Sequence, residues 1–398
     1  MSGYDVVVVG ARCAGAATAL LLSRKGYRVL LVDRARFPSD TVCTLHIRQT
    51  GVAALARWGL LDDLDATGCP PLEWTVVEAA GVRVEGCSPP LDGIRASRAP
   101  RRMVLDNLLA TAAQAAGATF WDGCVVEDVL WEDDRVAGVR CRAPGGGTMV
   151  IHAPLVIGAD GVRSAVSRYV KAETLLEHPT MTCVYYAFWS GLEMGRELYS
   201  WEGGGISVLP TNDGLTLVTV TYPISVFDQV RRNAFESYLD TIRTRTPGLY
   251  ERMSQGKVEE RLYAMAHQPN FVRQAAGPGW ALVGDAGVHR DAATGHGMSA
   301  AFAQAEMLAG HLDGDLADHA RTSAALRRFG EQRDAMMIPE YHATRQVATL
   351  TVPPRLKGLL ELIKDDQELT DAWLGGSAGV VTREQFRELL YSRHPAAR

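Results

Sequence analysis

Tyr4-Asp5-Val6-Val7-Val8-Val9-Gly10-Ala11-Arg12-Cys13-Ala14-Gly15, an Ala/Leu-rich run to Lys25-Gly26, and then Arg28-Val29-Leu30-Leu31-Val32-Asp33 form the stretch that decides the fold. Four valines without a polar interruption suit a strand buried on both faces, as in a parallel sheet. Gly10 ends that strand, and Cys13 to Lys25 reads as a helix closed by Gly26. A second apolar strand ends on Asp33. The spacing is G-x-x-x-x-G, with Arg12 where a middle glycine usually stands. Gly10 permits a tight turn and Gly15 a close approach of helix to strand, while the helix N-terminus offers free N–H groups and a positive dipole end to a pyrophosphate. Asp33 is positioned to accept hydrogen bonds from a ribose. Cys13 and Ala14 in the first helical turn, and Arg34 after the second strand, complete the expected contacts at this end.

This strand-turn-helix-strand order, with an acidic residue ending the second strand, is the mononucleotide-binding half of a Rossmann-like unit. Outward from it, helical periodicity returns in Gly51 to Leu64 and Met103 to Ala116, and strand-like runs occur at Cys124 to Leu130 and Leu155 to Ile157. Thr182 to Trp189 and Leu215 to Thr221 are rich in β-branched and aromatic residues, which predicts antiparallel strands. Trp280 to Asp285 is another apolar strand, and Met298 to Leu312 is helical in pattern. After Pro353-Pro354 the texture stays helical, with a capping box at Thr382 to Gln385 opening a last helix through Tyr391. Gly145 to Gly147 and Gly203 to Gly205 read as turns. The expected fold is therefore α/β. A discontinuous nucleotide-binding domain covers 1–174 and 276–352, with an excursion to the other lobe near 72–100. A β-rich substrate domain covers 175–275, and a helical C-terminal segment covers 353–398.

At 398 residues and 47% hydrophobic, the chain has enough apolar material for a large core, which excludes a disordered tail or a small disulfide scaffold. A net charge of −5 without a basic run gives no electrostatic footprint for nucleic acid. Apolar stretches such as Ala14 to Leu22 are too short to span a bilayer, so no stable membrane insertion is expected. The start lacks a basic n-region, which predicts no signal peptide and a cytoplasmic location. Seven cysteines, an odd number without CxxC spacing, point to reduced thiols. Neither a metal-ligand set nor a Ser-His-Asp set is visible.

Two further segments place an Asp just after a strand and a glycine: Ile157-Gly158-Ala159-Asp160-Gly161-Val162-Arg163-Ser164, and Val283-Gly284-Asp285 continuing through His289-Arg290-Asp291-Ala292-Ala293-Thr294-Gly295-His296-Gly297-Met298. The three segments, in this order over residues 4 to 310, resemble the FAD-binding, "DG" and "GD" motifs of the group A flavoprotein monooxygenases. This is the p-hydroxybenzoate hydroxylase-like family, which includes the geranylgeranyl reductase-like flavoproteins. The resemblance implies that the nucleotide lobe binds FAD. Asp285 would then meet the ribityl chain, and Gly295, Gly297 and Met298 would pass beside the flavin ring. The helix starting near Gly297 would favour the anionic hydroquinone through its dipole and free N–H groups. Asp160 would lie near FAD, or would cap the helix that follows it. His46-Ile47-Arg48-Gln49-Thr50-Gly51 and Arg101-Arg102-Met103-Val104-Leu105-Asp106 resemble stretches that bring arginines to the cofactor, which selects Arg48 and Arg102. A guanidinium suits phosphate oxygens because it is planar, charged and bidentate. Val126 would contact the adenine through its backbone.

The family implies an NADPH- or NADH-driven monooxygenase. It would insert one oxygen atom from molecular oxygen into an aromatic or polyene small molecule, by hydroxylation or epoxidation, through a flavin C4a-hydroperoxide. His289, Arg290 and His296 are the polar residues expected to handle protons there. Tyr185, Tyr186, Trp189, Trp201 and Tyr222, together with Phe188, are candidates for a flat apolar substrate pocket. Ala292 and Ala293 stand where the family often has prolines. The Trp-x-Trp-x-Ile-Pro signature of the related halogenases is absent, which argues against halogenation. Trp201 to Gly214 resembles the geranylgeranyl reductase-like members, so a flavin-dependent double-bond reductase is the alternative; a catalytically silent FAD-binding protein is an alternative of another class. A monomer or homodimer is expected.

Overall fold

The computed structural model describes residues 3–143 and 145–395; the outermost residues of the expected first lobe and of the helical tail lie outside this range. Strand β1 (Val6–Val9), helix α1 (Cys13–Arg24) and strand β2 (Val29–Val32) form as the sequence reads. β1 pairs in parallel with β2 on one side and with β3 (Leu155–Gly158) on the other. Trp280–Leu282 extends the parallel sheet beside β3, and Thr119–Trp121 extends it beside β2. The valines of β1 explain why the run has no polar break. Val6 and Val8 face a helical layer, while Val7 and Val9 face a second, three-stranded sheet of residues 125–132, 135–142 and 148–152.

The helical layer contains α1, α2 (Gln49–Arg57), α3 (Arg102–Ala115) and α4 (Gly297–His311), with α1 packed against both α3 and α4. Buried alanines at 14, 16, 17 and 19 let these helices approach closely. The helical stretch from Gly51 to Leu64 proves to be two helices, α2 and Leu61–Asp65, because Gly59 adopts a left-handed φ of 67° between them. A long helix, α5 (His319–Ala348), runs on from this lobe.

The second lobe is an eight-stranded sheet that includes β4 (Thr182–Ser190) and β5 (Arg196–Trp201). Trp74–Ala79 joins it in parallel to β5 and carries Val82–Cys87 at the edge. One face is covered by Ala234–Arg245 and Pro247–Met253, and the other meets residues of the first lobe such as Leu45 and Ala99. The tail helices Pro354–Ile363, Gln367–Ala378 and Arg383–Arg393 cover the edge strands 74–79 and 82–87. The Thr382–Gln385 capping box is present. Of the glycine triplet at 203–205 only Gly203 turns, at φ 86°. Gly204 and Gly205 are strand residues paired with β5, and the Trp201 ring occupies the place of a Gly204 side chain, 2.8 Å from where its Cβ would stand. All seven cysteines are free, and no helix among the described residues is long and apolar enough to cross a membrane.

Candidate functional site

At the ends of β1 and β3 the backbone leaves no room for side chains. Gly10 holds φ 102°, and a Cβ there would lie 2.4 Å from the carbonyl oxygen of Ala159; at Gly15 it would lie 1.7 Å from that of Gly10. The turn is fixed from below by Asp33, buried, whose carboxylate accepts from the backbone N–H of Ala11 and of Ala35, each at 2.7 Å. No side chain caps α1, so its first N–H groups remain available. Arg12 donates to Asp106 at 2.6 Å and to Ser39 and Asp40. Cys13 and Ala14 are buried in the first turn, and Arg34 is exposed beyond Asp33. Val126 is buried where the strand 125–132 bulges.

The second glycine segment docks onto the first. Gly284, at φ 59°, packs on α1 so that a Cβ would stand 2.7 Å from the Ala14 methyl. Asp285 next to it is exposed, and no hydrogen bond to its carboxylate is found among the described residues. Gly297 opens α4 and is exposed, and His296 at the N-cap makes no side-chain cap bond. Met298 is buried in the first turn. Two uncapped helix starts, a glycine cradle that a Cβ would fill and a free carboxylate make a fitting set for a dinucleotide with a pyrophosphate and hydroxyls.

The loop before α4 is anchored to the other lobe by a residue that the motif leaves without a role. Asp291 is buried and accepts from the Thr182 N–H (3.1 Å) and hydroxyl (2.7 Å) and from the Ala293 N–H; burial raises its pKa. Its own N–H donates to Asn270, and that of Ala292 donates to Gln268. An Asp followed two residues later by a small residue was the readable signal for this turn.

The basic and polar candidates divide into groups. Arg48 is buried with Nη1 3.3 Å from His296 Nδ1, beside the 295–297 loop rather than free in solvent. Arg290 pairs with Glu340 at 2.5 Å, and His296 lies 4.0 Å from the same carboxylate. His289 Nδ1 is bonded to the Pro269 carbonyl. Burial, with Arg48 and Arg290 adding to it, pushes His296 down to about 2, so it is neutral and does not switch near neutral pH as the sequence suggested. His46, against Gly295, is likewise held well below the usual imidazole range, chiefly by burial.

Arg102 and Asp160 are engaged locally. Arg102 forms a bidentate bond to Asp106, both oxygens at 3.0 Å. Asp160 accepts from the Ser164 hydroxyl (2.5 Å) and the N–H groups of Ala165 and Val166, the helix-capping role; burial raises its pKa against those bonds. Four of the five aromatic candidates require correction. Tyr185, Trp189, Trp201 and Tyr222 pack under the helices 234–245 and 247–253, where Trp189 Nε1 donates to Tyr238 and Tyr222 bonds Thr241. Strand side chains alternate, so Tyr185 and Tyr186 cannot share a face. Tyr186 faces the other lobe, stacked on Tyr263 at 5.1 Å, with Phe188 edge-on to both.

The two neutral histidines give a pH prediction. Each takes up a proton on unfolding below the unfolded pKa of about 6.5 but not in the folded chain. Their contribution is complete above that value and declines as pH falls toward the folded pKa, by about 1 kcal/mol each at about pH 5.5. Urea titrations at about pH 7.5 and 5.5 should show His296→Gln losing less stability than the parent chain. Equal losses would mean that His296 is protonated when folded.

These features define an α/β protein with a glycine-lined crevice at the carboxyl ends of a parallel sheet. The chain belongs to the family described as "FAD binding domain", whose profile matches residues 3–337, and it is an FAD-dependent oxidoreductase. A digeranylgeranylglycerophospholipid reductase of Methanosarcina mazei is 26% identical over 327 residues, covering 79% of this chain and 75% of its own. Among solved structures, a flavin-dependent brominase matches with a TM-score of 0.81 at 17% identity over 98% of this chain and all of its own. A probable FAD-dependent monooxygenase from Pseudomonas aeruginosa matches with a TM-score of 0.70 at 18% identity, over 94% and 99%. The two structural likenesses are likenesses of fold, and one fold carries several chemistries.

Proposed function

We propose that the chain is an FAD-dependent monooxygenase, driven by NADH or NADPH, that inserts one oxygen atom from O2 into a compact aromatic substrate. The observation that carries this reading is the aromatic wall of Tyr186, Phe188 and Tyr263. It faces Leu45, next in sequence to the His46 that touches Gly295. Flat apolar side chains on the Leu45 side of that loop suit a flat acceptor. Gly10, Gly15 and the start of α1 would hold the pyrophosphate of FAD, Asp33 and Val126 the adenosine end, and Asp285 the ribityl hydroxyls. FAD, when bound, supplies the electron transfer and oxygen activation. The open N–H groups of α4 stabilise negative charge at the end of the 294–297 loop. Asp291 holds that loop against β4. Neutral His296 offers one hydrogen bond without adding charge.

A double-bond reductase is the second reading, favoured by the 26% identity to the Methanosarcina reductase. Incubation with NADH or NADPH, isotopically heavy O2 and a panel of aromatic and isoprenoid compounds separates the two. A product carrying one heavy oxygen atom is expected. A product that gains only two hydrogens supports the reductase, and flavin that neither nicotinamide reduces supports the silent FAD-binding alternative.

A further inference from the structure

Beside the 295–297 loop, between α2, β5 and the tail helix 367–378, lies a small, half-open cleft. Arginines 48, 95 and 196 line it, with His46, Thr75 and, at the rim, Glu73. Three guanidinium groups against one exposed carboxylate leave the lining with an excess of positive charge. Arg196 is the most exceptional of them. Its Nη1 donates to the Thr75 hydroxyl at 2.9 Å, while its Nε is shielded from solvent and unpartnered. No carboxylate pairs with it among the described residues. Arg48 is buried in contact with neutral His296, and the Glu340 carboxylate that acts on it is bonded to Arg290. His46 adds a second shielded, unpartnered atom, Nε2. Burial first, and then the charge of Arg48, lowers Arg196 to about 10.

A half-buried guanidinium with one shielded, unpartnered N–H and no anion is costly, and its planar fork fits carboxylate and phosphate oxygens. We propose that this cleft binds an anionic group of the substrate, a carboxylate or a phosphate, with Arg196 as its principal partner and Arg48 and Arg95 beside it. The proposal rests on the flavoenzyme reading above and narrows its substrate class to acidic compounds.

Flavin-loaded protein is titrated with benzoate, phenyl phosphate and neutral benzamide, and binding is read from the perturbation of the flavin spectrum. At least one anion should bind more tightly than benzamide, and which of the two it is identifies the group. Arg196→Met should weaken that anion about 10- to 100-fold while leaving benzamide binding and flavin content unchanged. Should Arg196→Met fail to fold, Arg95→Ala, at an exposed position, should weaken the same anion several-fold. The proposal is overturned if neither anion binds in preference to benzamide up to about 10 mM, or if the folded variants bind anions as the parent does. A chain that does not hold FAD at all would instead refute the flavoenzyme reading on which the test depends.

Discussion

A Gly15→Ala chain is expected to be about 3 kcal/mol less stable than the parent and to purify with little or no flavin. The methyl carbon would lie 1.7 Å from the carbonyl oxygen of Gly10, a main-chain atom. That carbonyl cannot retreat easily, because the Gly10 turn is itself pressed against Ala159 and Asp160 and tied through the Ala11 N–H to Asp33. The helix must therefore move off the sheet. Overpacking usually costs about 1 to 3 kcal/mol, and a rigid obstacle places this case at the upper end. The same movement carries the free N–H groups of α1 away from the pyrophosphate position. Gly26→Ala is the control: its φ of 89° strains an alanine, but nothing stands within 4 Å of the new atom. It should cost about 1 kcal/mol and keep its flavin. Urea midpoints and the ratio of flavin to protein absorbance measure both quantities. A Gly15→Ala chain with parental flavin content would show that the cofactor does not depend on this close approach.

The glycine cradle was legible in the sequence because its constraints are local: a turn, a left-handed φ and a helix-to-strand contact within six residues. The same holds for β1, whose unbroken valines report two buried faces. Which aromatics share a face of β4 was not legible in this way. Thr182 to Trp189 is apolar on both faces, so composition alone does not say which aromatics look toward the cleft; that depends on the register with 216–223 and on the helices covering one side. Arg196 carried no signal at all. Its partner Thr75 lies 121 positions earlier and reaches it only through the parallel pairing of β5 with 74–79. Arg48 was identified as a cofactor candidate from its motif, but its contact with His296 comes from the docking of α2 against α4, which no local pattern encodes.

Arg102 has a buried partner that its motif did not announce, and Asp106→Ala tests what the pair does. Asp106 is fully buried and accepts from Arg102 through both oxygens, from Arg12 at 2.6 Å and from the Cys13 thiol. Removing it strands the Arg102 guanidinium against the first turn of α1, so a loss of about 3 to 5 kcal/mol is expected. The double variant Arg102→Met/Asp106→Leu should recover most of that loss, since a buried ion pair replaced by apolar groups of similar size is often neutral or better. Arg12 keeps its bonds to Ser39 and Asp40 in that variant. The flavin content of the double variant then separates two roles for Arg102. If the arginine acts only through Asp106 to set the α3–α1 contact, the double variant folds and retains FAD. If it folds but loses FAD, the guanidinium contacts the cofactor itself, as the resemblance implied, and the Asp106 pairing is the means by which it is aimed.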